Sequence, residues 1–209
     1  GLKYGSKEAQ IFTRDLFKQM FRHAVYASVD LARIRGNFPK YNKKIWDSKI
    51  IAHAFDKQEI QNLKNNNLLR NCSLLSIAPN GTLATLLNES GGCEPEFAIK
   101  YTRRTVGMTD GEDHYYDIYC RGAREYKQLY PDKELPDYFI ASQDINPLDR
   151  VKTQAIMQEY VDTAISSTVN LCQSATKEDI AQIYLTAWKL GCKGITIFRD
   201  GCKKIGILT

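Results

Sequence analysis

Residues 74–84 read Leu74-Leu75-Ser76-Ile77-Ala78-Pro79-Asn80-Gly81-Thr82-Leu83-Ala84, and they say more about the fold than any other stretch of this chain. A short apolar run leads into a proline and an Asn-Gly pair, which are residues of tight turns. Residues that a helix accepts follow. We therefore expect a strand, a turn and a helix start in that order. Backbone N–H groups converge at such a point and the helix dipole adds partial positive charge, so the turn could bind a phosphate.

The candidate phosphate-binding residues form the turn and the first helical residues. They are Ala78, Pro79, Asn80, Gly81, Thr82, Leu83 and Ala84. Pro79 would set the turn, Gly81 would let the backbone approach a bulky anion, and Thr82 would add a hydroxyl donor. The pattern lacks the lysine of a P-loop and the glycine spacing of a dinucleotide-binding fold. Taken alone, these residues favour an ordinary turn over a phosphate site.

A resemblance decides between the two interpretations. Residues 74–82 resemble the segment of adenosylcobalamin-dependent (class II) ribonucleotide reductases that ends in Ile-Ala-Pro-Thr-Gly-Thr. Further stretches are similar to segments of that family in the same order. They are Gly92-Cys93-Glu94-Pro95-Glu96-Phe97-Ala98 with the following Tyr101-Thr102-Arg103-Arg104, then Tyr160–Leu171, then Gly191-Cys192-Lys193-Gly194-Ile195-Thr196. The ordered set spans nearly the whole chain and is therefore more specific than any one motif.

The resemblance implies a fold. The catalytic domain of the family is a ten-stranded α/β barrel assembled from two halves, and this chain resembles its later part. We therefore expect a helix-rich α/β segment that is not a closed barrel on its own. Residues 1–209 would form a single domain, helical over 1–70 and α/β with the phosphate-binding loop over 71–209. Open sheet edges would be covered by the remaining half of the barrel, by a partner chain or by self-association into a homo-oligomer.

The resemblance also implies a function. The parent protein would be a vitamin B12-dependent reductase that converts ribonucleotides to deoxyribonucleotides by a radical mechanism, with adenosylcobalamin as cofactor. Residues 78–84 would hold the phosphates of the nucleotide substrate. Glu94 would support that loop, although a purely turn-stabilising carboxylate is an equal alternative. Asn80 stands where the family usually has Thr and Ala84 where Ser is common, so phosphate contact would depend more on backbone donors.

No catalytic residue is assigned within the chain. In the family, a cysteine becomes the thiyl radical, two more supply reducing equivalents and a glutamate handles protons, all upstream of the matched part. Asn170-Leu171-Cys172 has the look of the Asn-x-Cys-x-Glu radical loop, but Ser174 stands where its Glu would be. We interpret Cys172 as a small buried side chain. We expect the isolated chain to be inactive, and a non-catalytic nucleotide-binding or assembly module is the second interpretation.

Composition limits the partners. The 29 basic and 24 acidic residues give a net charge of +5, which suits an anionic ligand and is too mild for a nucleic-acid-binding domain. No stretch is apolar for long enough to span a bilayer, and no apolar signal segment follows residues 1–5, so we expect a cytoplasmic protein without a membrane partner. The six cysteines lack metal-ligand spacing, and no metal site is predicted.

Local signals predict several helices and strands. Ser6 should cap a helix from Lys7, and Asp56 with Glu59 reads as the capping box of a second helix. The first helix should bury an apolar face that comprises Phe12, Leu16, Met20, Ala24, Ala27 and Leu31. Residues 113–130 permit a helix, Pro147 begins another that runs to about residue 166, and Thr176 caps the last one. Strands are expected at 74–77, 169–171 and 194–198.

Overall fold

The computed structural model describes residues 1–106 and 113–202. Seven α-helices and four strands occur in these ranges, together with short 3-10 helices at Lys43–Asp47 and Ser142–Asp144. The helices are α1 Lys7–Arg35, α2 Lys49–Ala54, α3 Lys57–Asn66, α4 Gly81–Leu87, α5 Arg121–Leu129, α6 Pro147–Gln158 and α7 Lys177–Lys189. The strands are β1 Lys100–Val106, β2 Asp113–Tyr119, β3 Thr168–Leu171 and β4 Thr196–Arg199.

The long helix α1 starts where the sequence predicts, but it buries a different face. The Ser6 hydroxyl accepts a hydrogen bond from the Ala9 amide at 3.1 Å, which confirms the predicted cap. Its buried residues are Phe21, Val25, Ser28, Val29 and Ala32. The predicted face was wrong, because Phe12, Leu16, Met20 and Leu31 are exposed. Both sides of α1 carry apolar residues at helical spacing, and periodicity alone cannot say which side meets α2 and α6.

The helical first third of the described chain surrounds one apolar cluster. Phe21, Val25 and Val29 of α1 pack there with Trp46 and Leu63. Tyr160, which follows α6 much later in the sequence, packs against the same cluster. The predicted capping box of α3 is confirmed, since the Asp56 carboxylate accepts from the Glu59 amide and the Glu59 carboxylate accepts from the Asp56 amide. This part of the chain is therefore held to the rest through α1 and Tyr160.

Strands β1 and β2 form an antiparallel hairpin that the sequence did not predict. Lys100 pairs with Tyr119 at one end of the register and Val106 with Asp113 at the other. The expected helix over 113–130 was wrong for its first half, where residues 113–119 are rich in tyrosine and suit a strand. It was right for the second half, which contains α5.

Strands β3 and β4 are parallel, as the alternation of strands and helices predicted. Val169 pairs with Ile197 and Leu171 with Arg199. Helices α6 and α7 pack beside them, and Val151, Val169, Leu171, Ile183 and Ala187 form the apolar cluster between. The Thr176–Asp179 cap of α7 is confirmed. Helix α6 ends at Gln158, eight residues before the predicted end at 166. After the helix the chain bends, and the amides of Asp162 and Ser166 donate to the carbonyls of Leu75 and Ile77.

The two described sheets have two strands each, so this part of the chain is a partial α/β segment and not a closed barrel. The expected strand at 74–77 is not a regular strand. The segment has no regular secondary structure, and its carbonyl groups at Leu75 and Ile77 accept from the amides of Asp162 and Ser166 at 3.2 and 2.9 Å. Across residues 1–106 and 113–202, no helix combines the length and the apolar character needed to cross a bilayer.

Candidate functional site

The candidate loop lies on the surface between residues 74–77 and α4. Residues 78–83 are exposed, and Ala84 is buried. The Ala84 amide donates to the Asn80 carbonyl at 2.9 Å, so Asn80 is the residue from which the helix starts. The amides of Thr82 and Leu83, in the first turn, have no acceptor within the helix. The predicted residues are thus brought together, except that the amide of Ala84 is already used by α4.

A carboxylate fixes the segment that enters this loop. One oxygen of Asp162 accepts from the amides of Leu74 and Leu75, both at 2.8 Å. The Asp162 amide donates in turn to the Leu75 carbonyl. Hydrogen bonds to a charged acceptor are stronger than those between neutral groups. Asp162 therefore holds residues 74–75 in one place, and the position of the loop that follows depends on it.

A cavity of about 350 Å³ opens beside the start of the loop. Its walls come from the two paired segments. They are Ser76, Ile77, Ala78 and Pro79 on one side and Thr163, Ala164, Ile165 and Ser166 on the other. The predicted residues Ala78 and Pro79 thus line a cavity as well as a turn.

Three glycines lie in or near the loop, and they differ in how much space a side chain would have. A Cβ placed on Gly92 would lie 3.1 Å from Ile77, and the φ of Gly92 is +56°, so this glycine is required by the fold itself. A Cβ placed on Gly91 would lie 3.3 Å from the Asn80 side-chain oxygen. No described residue lies within 4 Å of a Cβ placed on Gly81. The packing of the described residues therefore does not explain why position 81 lacks a side chain.

Glu94 joins the segment behind the loop to β3. Its carboxylate accepts from the Thr168 amide at 2.5 Å, and its own amide donates to the Gly91 carbonyl at 2.9 Å. The neighbouring Cys93 is buried among Met157, Val161 and Ile165. Glu94 therefore ties residues 91–94 to the start of the parallel pair, and this contact fits a supporting role.

The sequence as a whole matches a known domain. The model of the ribonucleotide reductase barrel domain matches residues 1–198. This chain belongs to the ribonucleotide reductase barrel-domain family. A vitamin B12-dependent ribonucleoside-diphosphate reductase of Mycobacterium tuberculosis is 31% identical over 227 aligned residues, which cover all of this chain and 30% of that protein. The similarly named protein of Thermoplasma acidophilum is 31% identical over 88% of this chain and 24% of its own length.

A more distant relative comes from Helicobacter pylori. Its ribonucleoside-diphosphate reductase subunit alpha is 24% identical over 95% of this chain and 26% of that protein. The chain therefore spans about a third or less of the curated relatives it matches.

In this barrel-domain chain, a buried arginine connects the N-terminal residues to the parallel pair. The Arg150 guanidinium, 3% exposed, donates to the Tyr4 hydroxyl at 2.6 Å and to the Ser167 hydroxyl at 2.8 Å. The Tyr4 hydroxyl donates to the Cys93 carbonyl at 3.0 Å. Burial raises the pKa of Tyr4, and the positive charge of Arg150 opposes that shift. This network, like the Asp162 carboxylate, was missed from the sequence, because its partners are far apart along the chain.

The cysteines of this chain differ in their surroundings. Cys172 was predicted to be buried, and this was wrong. It follows the end of β3 in an exposed turn, where its sulfur lies 3.1 Å from the Ser174 hydroxyl oxygen, and this hydrogen bond lowers the pKa of the thiol. Cys192 is half-buried, and burial raises its pKa to about 11. In the described ranges, no three His, Cys, Asp or Glu side chains are grouped as ligands for a metal ion.

Proposed function

We propose that this chain supplies the substrate phosphate-binding loop of a vitamin B12-dependent ribonucleotide reductase. Its family and the names of its relatives support this, as does the Ile77–Thr82 motif at the surface. The reaction, reduction of a ribonucleotide to a deoxyribonucleotide, belongs in this proposal to the complete reductase. The chain corresponds to about 30% of such a protein.

The observation that carries the proposal is the open space over Gly81. Since no described residue lies within 4 Å of a Cβ built there, a side chain at this position would occupy open space beside the exposed Asn80 and Thr82. A glycine that the fold does not need, at the start of a helix, allows a bulky anion to approach the backbone closely. The substrate phosphates would occupy this space.

The donors for such a phosphate come from four consecutive residues. In this proposal the amides of Asn80, Gly81, Thr82 and Leu83 point to the anion, and the Thr82 hydroxyl adds a further donor. Ala84 contributes by packing, because its amide is engaged by Asn80 and its small side chain is buried. Glu94 and Asp162 would keep the loop in position without touching the phosphate.

Adenosylcobalamin would supply the radical when bound to the complete reductase. The described residues do not form a recognisable corrin-binding site. We expect this chain alone to bind nucleotide without reducing it, because it contains no Asn-x-Cys-x-Glu radical loop. Its partner would be the remaining half of the reductase barrel. Six free thiols fit a reducing compartment, and we place the protein in the cytoplasm.

Nuclear magnetic resonance of the nitrogen-15-labelled chain tests the loop directly, since it detects even weak binding residue by residue. Titration with ADP should shift the amide signals of Asn80, Thr82 and Leu83 in a saturable way. Gly81→Val should weaken binding at least tenfold, because its side chain fills the space over the backbone. It should leave helix content unchanged, because the fold has room for it.

Two further variants separate the hydroxyl from the backbone. Thr82→Val should weaken ADP binding and Thr82→Ser should preserve it, since serine keeps the donor. Ser90→Val, at an exposed position outside the motif, serves as the control and should bind like the wild type. Saturable binding that shifts other amides, or equal affinity of Gly81→Val and wild type, would contradict the proposal. The absence of any shift at millimolar ADP would contradict it as well.

A further inference from the structure

Asn80 and Gly81, at the start of α4, are an asparagine followed by a glycine, and the sequence contains no other such pair. Asparagine is chemically labile, because the backbone nitrogen that follows it can attack its side-chain carboxamide. A glycine at the next position favours this attack, since it has no side chain to hinder the approach. Both residues are exposed, so the pair combines this reactivity with access to water.

The side chain of Asn80 also differs from those of other exposed asparagines. Asn42 and Asn146 each accept a hydrogen bond at 2.9 Å from the backbone amide two residues ahead. Asn71 accepts one from the Ser28 hydroxyl at 3.0 Å. Among the described residues, none forms a hydrogen bond with the Asn80 carboxamide. The fold therefore restrains those three side chains and leaves that of Asn80 able to rotate.

The surroundings of the Asn80 carboxamide leave room for this rotation. Its oxygen lies beside Gly91 and Gly92, since a Cβ built on them would be 3.3 and 3.7 Å away from it. Neither neighbour has a side chain that could block the movement. On the other side, no described residue lies within 4 Å of a Cβ built on Gly81. Cγ of Asn80 can therefore turn towards the Gly81 nitrogen without displacing a side chain.

The reaction that follows needs no reactant other than water. The Gly81 nitrogen bonds to Cγ of Asn80 while the bond from Cγ to Nδ2 breaks, and Nδ2 leaves as ammonia with the proton from the Gly81 nitrogen. Water then opens the cyclic imide. Hydrolysis at Cγ gives aspartate, and hydrolysis at the backbone carbonyl carbon gives isoaspartate, in which the chain continues through the former side chain. Either product has a carboxylate at position 80.

We propose that Asn80 is a site of spontaneous deamidation, and that its conversion stops the loop from binding a phosphate. The new carboxylate repels the anion, which should weaken ADP binding about tenfold or more. In isoaspartate the carbonyl group that accepts from the Ala84 amide becomes this carboxylate, so the start of α4 changes as well. The loss of nucleotide binding rests on the proposed function, whereas the deamidation itself does not.

The reaction needs access to residues 80 and 81 only for water and hydroxide. Wherever a nucleotide reaches the loop at 78–84, these smaller species reach it too. Deamidation of Asn80 is therefore expected in any form of the protein in which the loop can bind its substrate. It should be faster at higher pH, because the Gly81 nitrogen must lose its proton to attack.

Mass spectrometry of the folded chain tests the modification. One tryptic peptide, residues 71–100, contains Asn71, Asn80 and Asn88, so every molecule has two internal controls. Asn71 is held by Ser28, and Asn88 is followed by a glutamate. After incubation at mildly alkaline pH and digestion at mildly acidic pH, fragment ions should show deamidation at Asn80 and many times less at both controls. Gly81→Ala should slow the reaction severalfold. Equal rates at the three asparagines, or an unchanged rate in Gly81→Ala, overturn the proposal.

Titration with ADP, followed by the same amide signals, tests the consequence. Incubated wild type should lose ADP binding in proportion to its conversion, and Asn80→Asp should bind about tenfold more weakly than fresh wild type. Asn80→Thr has no carboxamide and should bind after incubation as it did before. A fully converted chain that binds ADP like the fresh one overturns the consequence. A fresh chain that binds no ADP contradicts the proposed function alone, because the mass spectra are read without nucleotide.

Discussion

A single carboxylate, that of Asp162, holds the segment that leads into the candidate loop. It accepts from the amides of both Leu74 and Leu75 at 2.8 Å. Asp162→Ala leaves both donors without their acceptor, and we expect it to lower the free energy of unfolding by about 2 kcal/mol. Asp162→Asn keeps one acceptor oxygen and should cost less. Urea unfolding of the three proteins measures this, and equal stability of wild type and Asp162→Ala would disprove the clamp.

The same residue shows how far sequence could predict this site. The loop residues 78–84 are consecutive, so a motif was enough to find them. Asp162 lies 88 residues after Leu74, and nothing local in either stretch says that they meet. The family resemblance includes both stretches, but it does not indicate that they are in contact. A site built by long-range hydrogen bonds therefore has a part that sequence motifs indicate and a part that only the fold supplies.

At the scale of elements, an ion pair joins α1 to α3. The Arg22 guanidinium donates to both carboxylate oxygens of Glu59 at 2.9 and 2.6 Å, and the Asp56 amide donates to Glu59 as well. These contacts lower the pKa of Glu59 from 4.5 to about 2, and the hydrogen bonds from Arg22 contribute most to that shift. Because the folded-state pKa is depressed, the stabilisation is complete above pH 4.5. It is lost as the pH falls towards 2.

Glu59→Gln measures the contribution of the ion pair with Arg22 to the stability of the fold. Glutamine still completes the capping box of α3, so the change removes the charge and preserves the cap. At pH 7 the variant should be less stable than the wild type by about 1–2 kcal/mol, a value that allows for solvent screening of side chains that are about a quarter exposed. The difference should shrink steadily between pH 4.5 and pH 2 in urea unfolding curves. A difference that does not depend on pH would mean that the ion pair adds nothing.

Elements whose signals are local were predicted well. The caps at Ser6, Asp56 and Thr176 each involve residues three positions apart, and all three are confirmed. Predictions that needed tertiary information were less successful. The buried face of α1 was wrong because both of its faces are apolar. The β1–β2 hairpin was missed because its tyrosine-rich second strand, Asp113–Tyr119, also permits a helix.

At the scale of the whole molecule, one segment connects the three apolar clusters that the described residues form. Val151 at the start of α6 belongs to the cluster of β3, β4 and α7. Met157 and Val161 belong to the cluster around Cys93, and Tyr160 belongs to the cluster of the N-terminal helices. Residues 151–161 therefore contribute to every core within a few turns of chain. A destabilising substitution in this segment should therefore weaken the packing of all three clusters.

We therefore expect the described part of the chain to unfold as one cooperative unit, and Val161→Ala to test this. Val161 is fully buried, and its truncation should cost about 2 kcal/mol. In a Trp188→Phe background, Trp46 fluorescence reports the N-terminal cluster, and pulse alkylation of Cys192 reports the cluster of β3 and β4. Both probes should share one urea midpoint, and Val161→Ala should lower both equally. Separate midpoints would show that residues 1–70 and 71–209 fold as two units, because the link through α6 would then be too weak to couple them.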